Sequence, residues 1–175
     1  MGEVVTLQQG LENAGFHVNS ELTEFYQNSG FERENGQFVY DFNIYEVPVE
    51  KYTEELLQNA RDFSDVAIVV ITRQGGEDGE LPMDMSGHGG DANHHYLELS
   101  PTERDMIDMI KGQGYEKVIA VINSSHAMEL GFLEEEGIDA AIWIGGPGSV
   151  GCNSIGKIFS GEVNPSGRLT DTYAY

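Results

Sequence analysis

The chain has 175 residues, 39% of them hydrophobic and 22% charged, proportions that suit one folded domain with a core of its own. Nine basic residues against 30 acidic ones give a formal net charge of -21, a field that repels phosphate backbones and anionic lipids. Nucleic acid and membrane surfaces are therefore excluded as partners, whereas a neutral or cationic ligand is admitted. A single cysteine, Cys152, excludes an intramolecular disulfide framework and points to a reducing, cytoplasmic compartment. No apolar run approaches the roughly 20 residues of a membrane span. The start, Met1-Gly2-Glu3-Val4-Val5, lacks the basic region and apolar stretch of a signal peptide. Its myristoylation-like Met1-Gly2 is followed by the acidic Glu3, which argues against that modification.

Val4, Leu7, Leu11 and Ala14 recur at helical intervals, and Gly15 predicts the end of a first helix. Phe16-His17-Val18 reads as a short strand, and Leu22, Phe25 and Tyr26 as a second helix ending near Gly30. Residues 31–50 carry no clear period and read as a loop over a sheet edge. Leu56, Leu57, Ala60 and Phe63 mark the next helix. Three apolar runs follow: Val66-Ala67-Ile68-Val69-Val70-Ile71, Val118-Ile119-Ala120-Val121-Ile122 and Ala140-Ala141-Ile142-Trp143-Ile144. Their β-branched character predicts strands buried on both faces, with Trp143 in the core. Between the first two, Ser100-Pro101-Thr102-Glu103 is a capping box with proline at the first helical position; Met106, Ile107, Met109 and Ile110 then face inward. Between the last two, Met128, Leu130, Phe132 and Leu133 predict another helix. Strand, helix, strand, helix, strand is the pattern of an α/β fold with a parallel sheet.

Ligands in such folds gather beyond the carboxyl ends of the strands. Three segments qualify: residues 72–97, Asn123-Ser124-Ser125-His126 and Gly145-Gly146-Pro147-Gly148. The first is longer than the roughly 12 to 15 residues beyond which loops are usually functional or disordered. It contains Glu77 and Asp78 on a glycine-flanked turn, with Arg73 just before and Glu80 just after. Arg73 could orient Glu77 or touch a substrate, or simply lie on the surface. Asp84, His88, Asp91, His94 and His95 could ligate a transition metal. The histidines lack the i, i+4 spacing of a zinc protease, however, and no cysteine joins them, so they could equally line a polar ligand site. No metal is assigned. Asn123-Ser124-Ser125-His126 lacks the glycine elbow of a serine nucleophile and reads as a helix N-cap. Gly145-Gly146-Pro147-Gly148-Ser149-Val150-Gly151 lacks the Lys-Ser/Thr ending of a phosphate loop, making a nucleotide site a poor match.

The closing run Gly161-Glu162-Val163-Asn164-Pro165-Ser166-Gly167-Arg168-Leu169 resembles the α/β-sandwich domain of family 3 glycoside hydrolases, the β-glucosidase and β-xylosidase family. Pro147-Gly148 and Gly151 match that family's turn and glycine-rich helix start, and Asn164-Pro165-Ser166-Gly167-Arg168 reads as its turn into a last strand. The resemblance is close over residues 62–172 and loose before them. It implies a three-layer sandwich around a mostly parallel sheet. The family's first strand and the glycine-rich loop ahead of the Val4 helix are missing, so residues 1–175 are expected to be a fragment without its catalytic barrel. Family members often carry Ser-Gly-Glu-Gly after the strand that ends here at Arg73. Gly75-Gly76-Glu77-Asp78 stands at that place, with glycine for the serine and aspartate for the second glycine. The resemblance thus implies that Glu77 is the acid/base of a retaining exo-β-glycosidase, with the aspartate nucleophile on the absent barrel. Arg73, Asp78 and His88 are its candidate substrate contacts. A β-linked oligosaccharide or glycoside is the implied substrate, and no cofactor is called for. A non-catalytic carbohydrate-binding or interdomain module is the alternative.

Overall fold

A computed structural model describes residues 4–29, 42–75, 79–135 and 137–174. Five α-helices occur in this part of the chain: α1 (Leu7–Asn13), α2 (Ser20–Gln27), α3 (Glu54–Phe63), α4 (Pro101–Lys111) and α5 (Cys152–Phe159). Three strands, β1 (Val66–Arg73), β2 (Lys117–Ser124) and β3 (Ala140–Trp143), form a parallel sheet in the order β1-β2-β3. The chain therefore has the α/β fold that its apolar runs predict. Among the described residues no helix is long and apolar enough to cross a membrane.

Helix starts follow local chemistry. Thr6 and Gln9 close a capping box on α1, the Asn19 side-chain Oδ1 accepts from the Glu21 and Leu22 amides of α2, and Thr53 caps α3. Ser100 and Glu103 form the predicted box on α4, with Pro101 inside it. The Asn19 amide also donates to Asn59 at 2.8 Å, tying α2 to α3.

Alternation along β1 and β2 decides where the core lies. Val69, Ile71, Val118, Ala120 and Ile122 point to one face and pack with Leu99, Met106, Ile107, Met128 and Phe132. The other face is less covered, with Val66 at 41% and Ile68 at 37% exposure. The expectation that β1 is buried on both faces is corrected here: α4 covers the Val69–Ile71 side, and nothing comparable covers Val66 and Ile68 among the described residues. Trp143 is likewise 39% exposed, since the short β3 is an edge strand, and its ring meets Tyr173 edge-on at 6.4 Å.

Other local expectations fail for identifiable reasons. Phe16-His17-Val18 forms no strand. The helix expected around Met128 is a single 3-10 turn, Gly131–Glu134. The Glu129 amide donates to the Leu97 carbonyl and the Leu130 amide to Ala174, so both are engaged outside any helix, while Met128 and Phe132 still reach the core. Ser124 caps no helix: its Oγ donates to the His126 carbonyl at 2.6 Å and closes a local turn. Residues 164–174 form no strand either.

The α1–α5 pair is set by glycine. A Cβ on Gly10 would lie 2.1 Å from the Cys152 carbonyl oxygen, and one on Gly156 would lie 2.0 Å from that of Gly10. The two helices therefore touch backbone to backbone, flanked by Val5, Cys152 and Ile155.

Candidate functional site

The three residues before Gly76-Glu77 are each fixed by a different part of the chain. Arg73 ends β1 with its side chain wholly buried, against Glu103 at 4% exposure. The two guanidinium nitrogens meet the two Glu103 oxygens at 2.6 Å each, a bidentate pair. Nη1 also donates to the Thr72 carbonyl at 2.7 Å, Nη2 to Glu98 at 2.5 Å and Nε to Tyr96 at 3.0 Å. All five guanidinium donors are thereby used, and the Tyr96 ring lies 5.9 Å beneath the charge. Arg73 is neither a surface residue nor one with a donor to spare for a ligand; its reach is through the backbone it anchors.

Glu103 serves two structures at once. Its Oε2 accepts the Ser100 amide at 2.8 Å to cap α4, and the same carboxylate neutralises Arg73. A carboxylate so deeply buried demands a cation partner, and β1 delivers one.

Gln74 follows. The Tyr96 hydroxyl donates to its carbonyl at 3.2 Å. Tyr96, only 1% exposed, meets Phe42 edge-on at 6.0 Å, and His88 completes the cluster at 6.4 Å from each ring. His88 is thus half-buried, its ring packed among aromatics. Its backbone carbonyl accepts from Ile44 at 2.8 Å. The structure brings Arg73, Tyr96 and His88 together. Glu77 and Asp78 lie outside the described residues.

Gly75 lies against His126 from the turn beyond β2. Arg73 and Ser124 are paired across the sheet, so Gly75 and His126 are each two residues past the last register pair.

Asp84, Asp91, His94 and His95, farther along the long segment, are occupied locally. Asp84 accepts the Ser86 amide and hydroxyl, and these bonds hold its carboxyl below the usual range. Asp91 is held low chiefly by His94, whose Nδ1 lies 2.9 Å away. His95 Nδ1 sits 3.1 Å from the Met83 carbonyl. Among the described residues no three acidic, histidine or cysteine side chains converge as a metal site. Beside the start of α4 a cavity of about 540 Å³ is lined by Glu98, Leu99, Arg104, Asp105, Glu129 and Phe132, among others.

Neither Tyr96 nor the second role of Glu103 was expected from sequence. An acidic residue at the third position of a capping box reads as complete in itself. The one available hint is a charged residue, Arg73, ending an apolar run, which implies a buried counter-charge.

The profile of the glycosyl hydrolase family 3 C-terminal domain matches residues 3–175. A β-glucosidase of Ruminococcus albus is 26% identical across the whole of this chain, which spans 18% of that protein. A β-glucosidase of Schizophyllum commune is 34% identical over 63% of this chain and 55% of its own sequence. The solved structure of a β-glucosidase from Paenibacillus barengoltzii superposes with a TM-score of 0.75 over 97% of this chain and 18% of its own, at 24% identity, a likeness of fold. With its sheet, its helices and nearly its entire length matched, this chain belongs to the glycosyl hydrolase family 3 C-terminal domain family.

Proposed function

We propose that this chain is the sandwich domain of a retaining exo-β-glycosidase, a β-glucosidase, which completes the active site and supplies its acid/base. The aspartate nucleophile comes from a barrel domain of the same protein, outside the present 175 residues. The relatives' names support the activity class. The observation that carries the assignment of a working site is the anchoring of Arg73, Gln74 and Gly75. Three successive residues at a strand's carboxyl end are held by Glu103, Tyr96 and His126, immediately ahead of Gly76-Glu77. Precise placement matters here, because a displacement of about 1 Å can cost about a hundredfold in rate.

In this reading Glu77 begins protonated. As the barrel aspartate attacks the anomeric carbon, the glycosidic C–O bond breaks and Glu77 gives its proton to the departing oxygen. A water then attacks the glycosyl-enzyme, giving its proton to the Glu77 carboxylate and releasing the aspartate. The two carboxyl groups must stand about 5 to 5.5 Å apart, so the barrel docks over the carboxyl ends of β1 and β2. Nearby negative charge, including the aspartate, favours the protonated acid. Arg73 contributes by holding the strand end, and Asp78 and His88 remain the proposed substrate contacts. The single cysteine supports a reducing compartment for the enzyme.

The test is to assay this chain alone, then joined to the barrel of its parent protein, on aryl β-glucosides and cellobiose. Activity is expected only in the joined protein. The cavity beside α4, with its several carboxylates, favours a second reading, a non-catalytic carbohydrate-binding or interdomain module. Saturable cellobiose binding with no turnover in the joined protein would select that reading instead.

A further inference from the structure

His126 stands apart from the other anchors. Its backbone is locked at the end of β2, where Ser124 Oγ accepts the His126 amide at 3.3 Å and donates to its carbonyl at 2.6 Å. Its ring fills the space that a side chain on Gly75 would need. A Cβ there would lie 2.1 Å from His126 Cε1, 2.4 Å from Nδ1 and 2.8 Å from Ser125 Oγ. A side chain at residue 75 therefore requires the His126 ring to move from this position. This accounts for glycine at the place where the family motif has serine: the imidazole of one strand end occupies the room that the serine of the other would take.

The ring is poorly satisfied as a mere filler. Its Nε2 is shut off from solvent and has no hydrogen-bonding partner among the described residues, a condition rare enough in folded proteins to require an explanation. Nδ1 makes a long contact, 3.5 Å, to Ser125 Oγ. Burial holds the imidazole below its ordinary pKa; the Gln74 backbone opposes this and the Arg73 charge adds to it. The ring is thus a neutral wedge against the chain that leaves β1.

We propose that His126 is a positioning residue for the acid/base, setting with Gly75 the point at which the segment bearing Glu77 leaves the sheet. The inference rests on the reading of Glu77 given above. It predicts that residues 75 and 126 are coupled, and that their disturbance is felt in protonation of the leaving group rather than in substrate binding.

The experiment uses the full-length parent protein and two substrates: cellobiose, which needs protonation, and 2,4-dinitrophenyl β-glucoside, which does not. The readout is kcat/KM, which reports the first chemical step. Glu77→Gln serves as the reference and should depress cellobiose while sparing the activated substrate. His126→Ala should show the same selectivity in weaker form, about tenfold on cellobiose. Gly75→Ser should be at least as damaging, and the double variant Gly75→Ser/His126→Ala should recover most of the loss, a strongly non-additive cycle. If His126→Ala does not give a cooperative thermal melt, His126→Asn takes its place in every comparison. Equal loss on both substrates, no loss, or an additive cycle would overturn the role of His126 while Glu77→Gln remains selective. A Glu77→Gln variant without selectivity would overturn the Glu77 assignment itself, and the positioning role with it.

Discussion

Two regions of this chain carry family character, and they are held in opposite ways. The exit of β1, from Arg73 to Gly75, is fixed by a buried ion pair, a tyrosine hydroxyl and an imidazole. The run from Gly161 to Thr170, far easier to recognise in the sequence, is exposed throughout. A short motif is recognisable because its residues are contiguous. A rigid site arises when residues distant in sequence, here 73, 96, 103 and 126, converge on one stretch of backbone. Recognisability and rigidity are separate properties, and in this domain they occur in different places.

Substitutions should separate the two regions by size of effect. Glu103→Gln leaves the Arg73 guanidinium buried without its counter-charge and weakens the α4 cap, so urea unfolding should show a loss of about 3 to 5 kcal/mol. Gly156→Ala drives a methyl into the Gly10 carbonyl where α1 and α5 touch, and about 1 to 3 kcal/mol should be lost. A pH effect sharpens the comparison. Because burial depresses His126, the unfolded chain binds its proton more readily than the folded one. The stability given by the neutral ring is thus present above the unfolded value of about 6.5 and declines as pH falls through the lower folded value. Unfolding free energy measured across that window should flatten in His126→Asn. In the exposed run, Arg168→Ala or Leu169→Ala should change stability by less than about 0.5 kcal/mol. A loss there as large as that of Glu103→Gln would erase the distinction between the two regions.

The sequence announced what is local. The capping box Ser100-Pro101-Thr102-Glu103, the three β-branched runs and the helix over Leu56 to Phe63 depend on neighbours within a few residues, and each appears in the structure. What it concealed is long-range. Nothing near Glu103 signals Arg73, 30 residues away, and nothing near Gly10 signals the Cys152 carbonyl that forbids it a side chain. Met128 to Leu133 has a helical spacing of apolar residues, but the Leu97 and Ala174 carbonyls draw off the amides of Glu129 and Leu130. Phe16-His17-Val18 is too short a run for its strand-like composition to decide its structure. For the site, the resemblance supplied Glu77 from the four-residue stretch Gly75-Gly76-Glu77-Asp78, whereas Arg73 was legible only as a position and its five bonds were not.

The most direct test of the account is the leaving-group dependence of Glu77→Gln in the full-length protein. Taken over a series of aryl β-glucosides, kcat/KM should fall steeply as the leaving phenol becomes less acidic, with little loss for the most acidic phenols and severe loss for cellobiose. A variant slowed equally across the series would contradict the assignment of Glu77 as acid/base and leave the anchored exit of β1 without its proposed purpose.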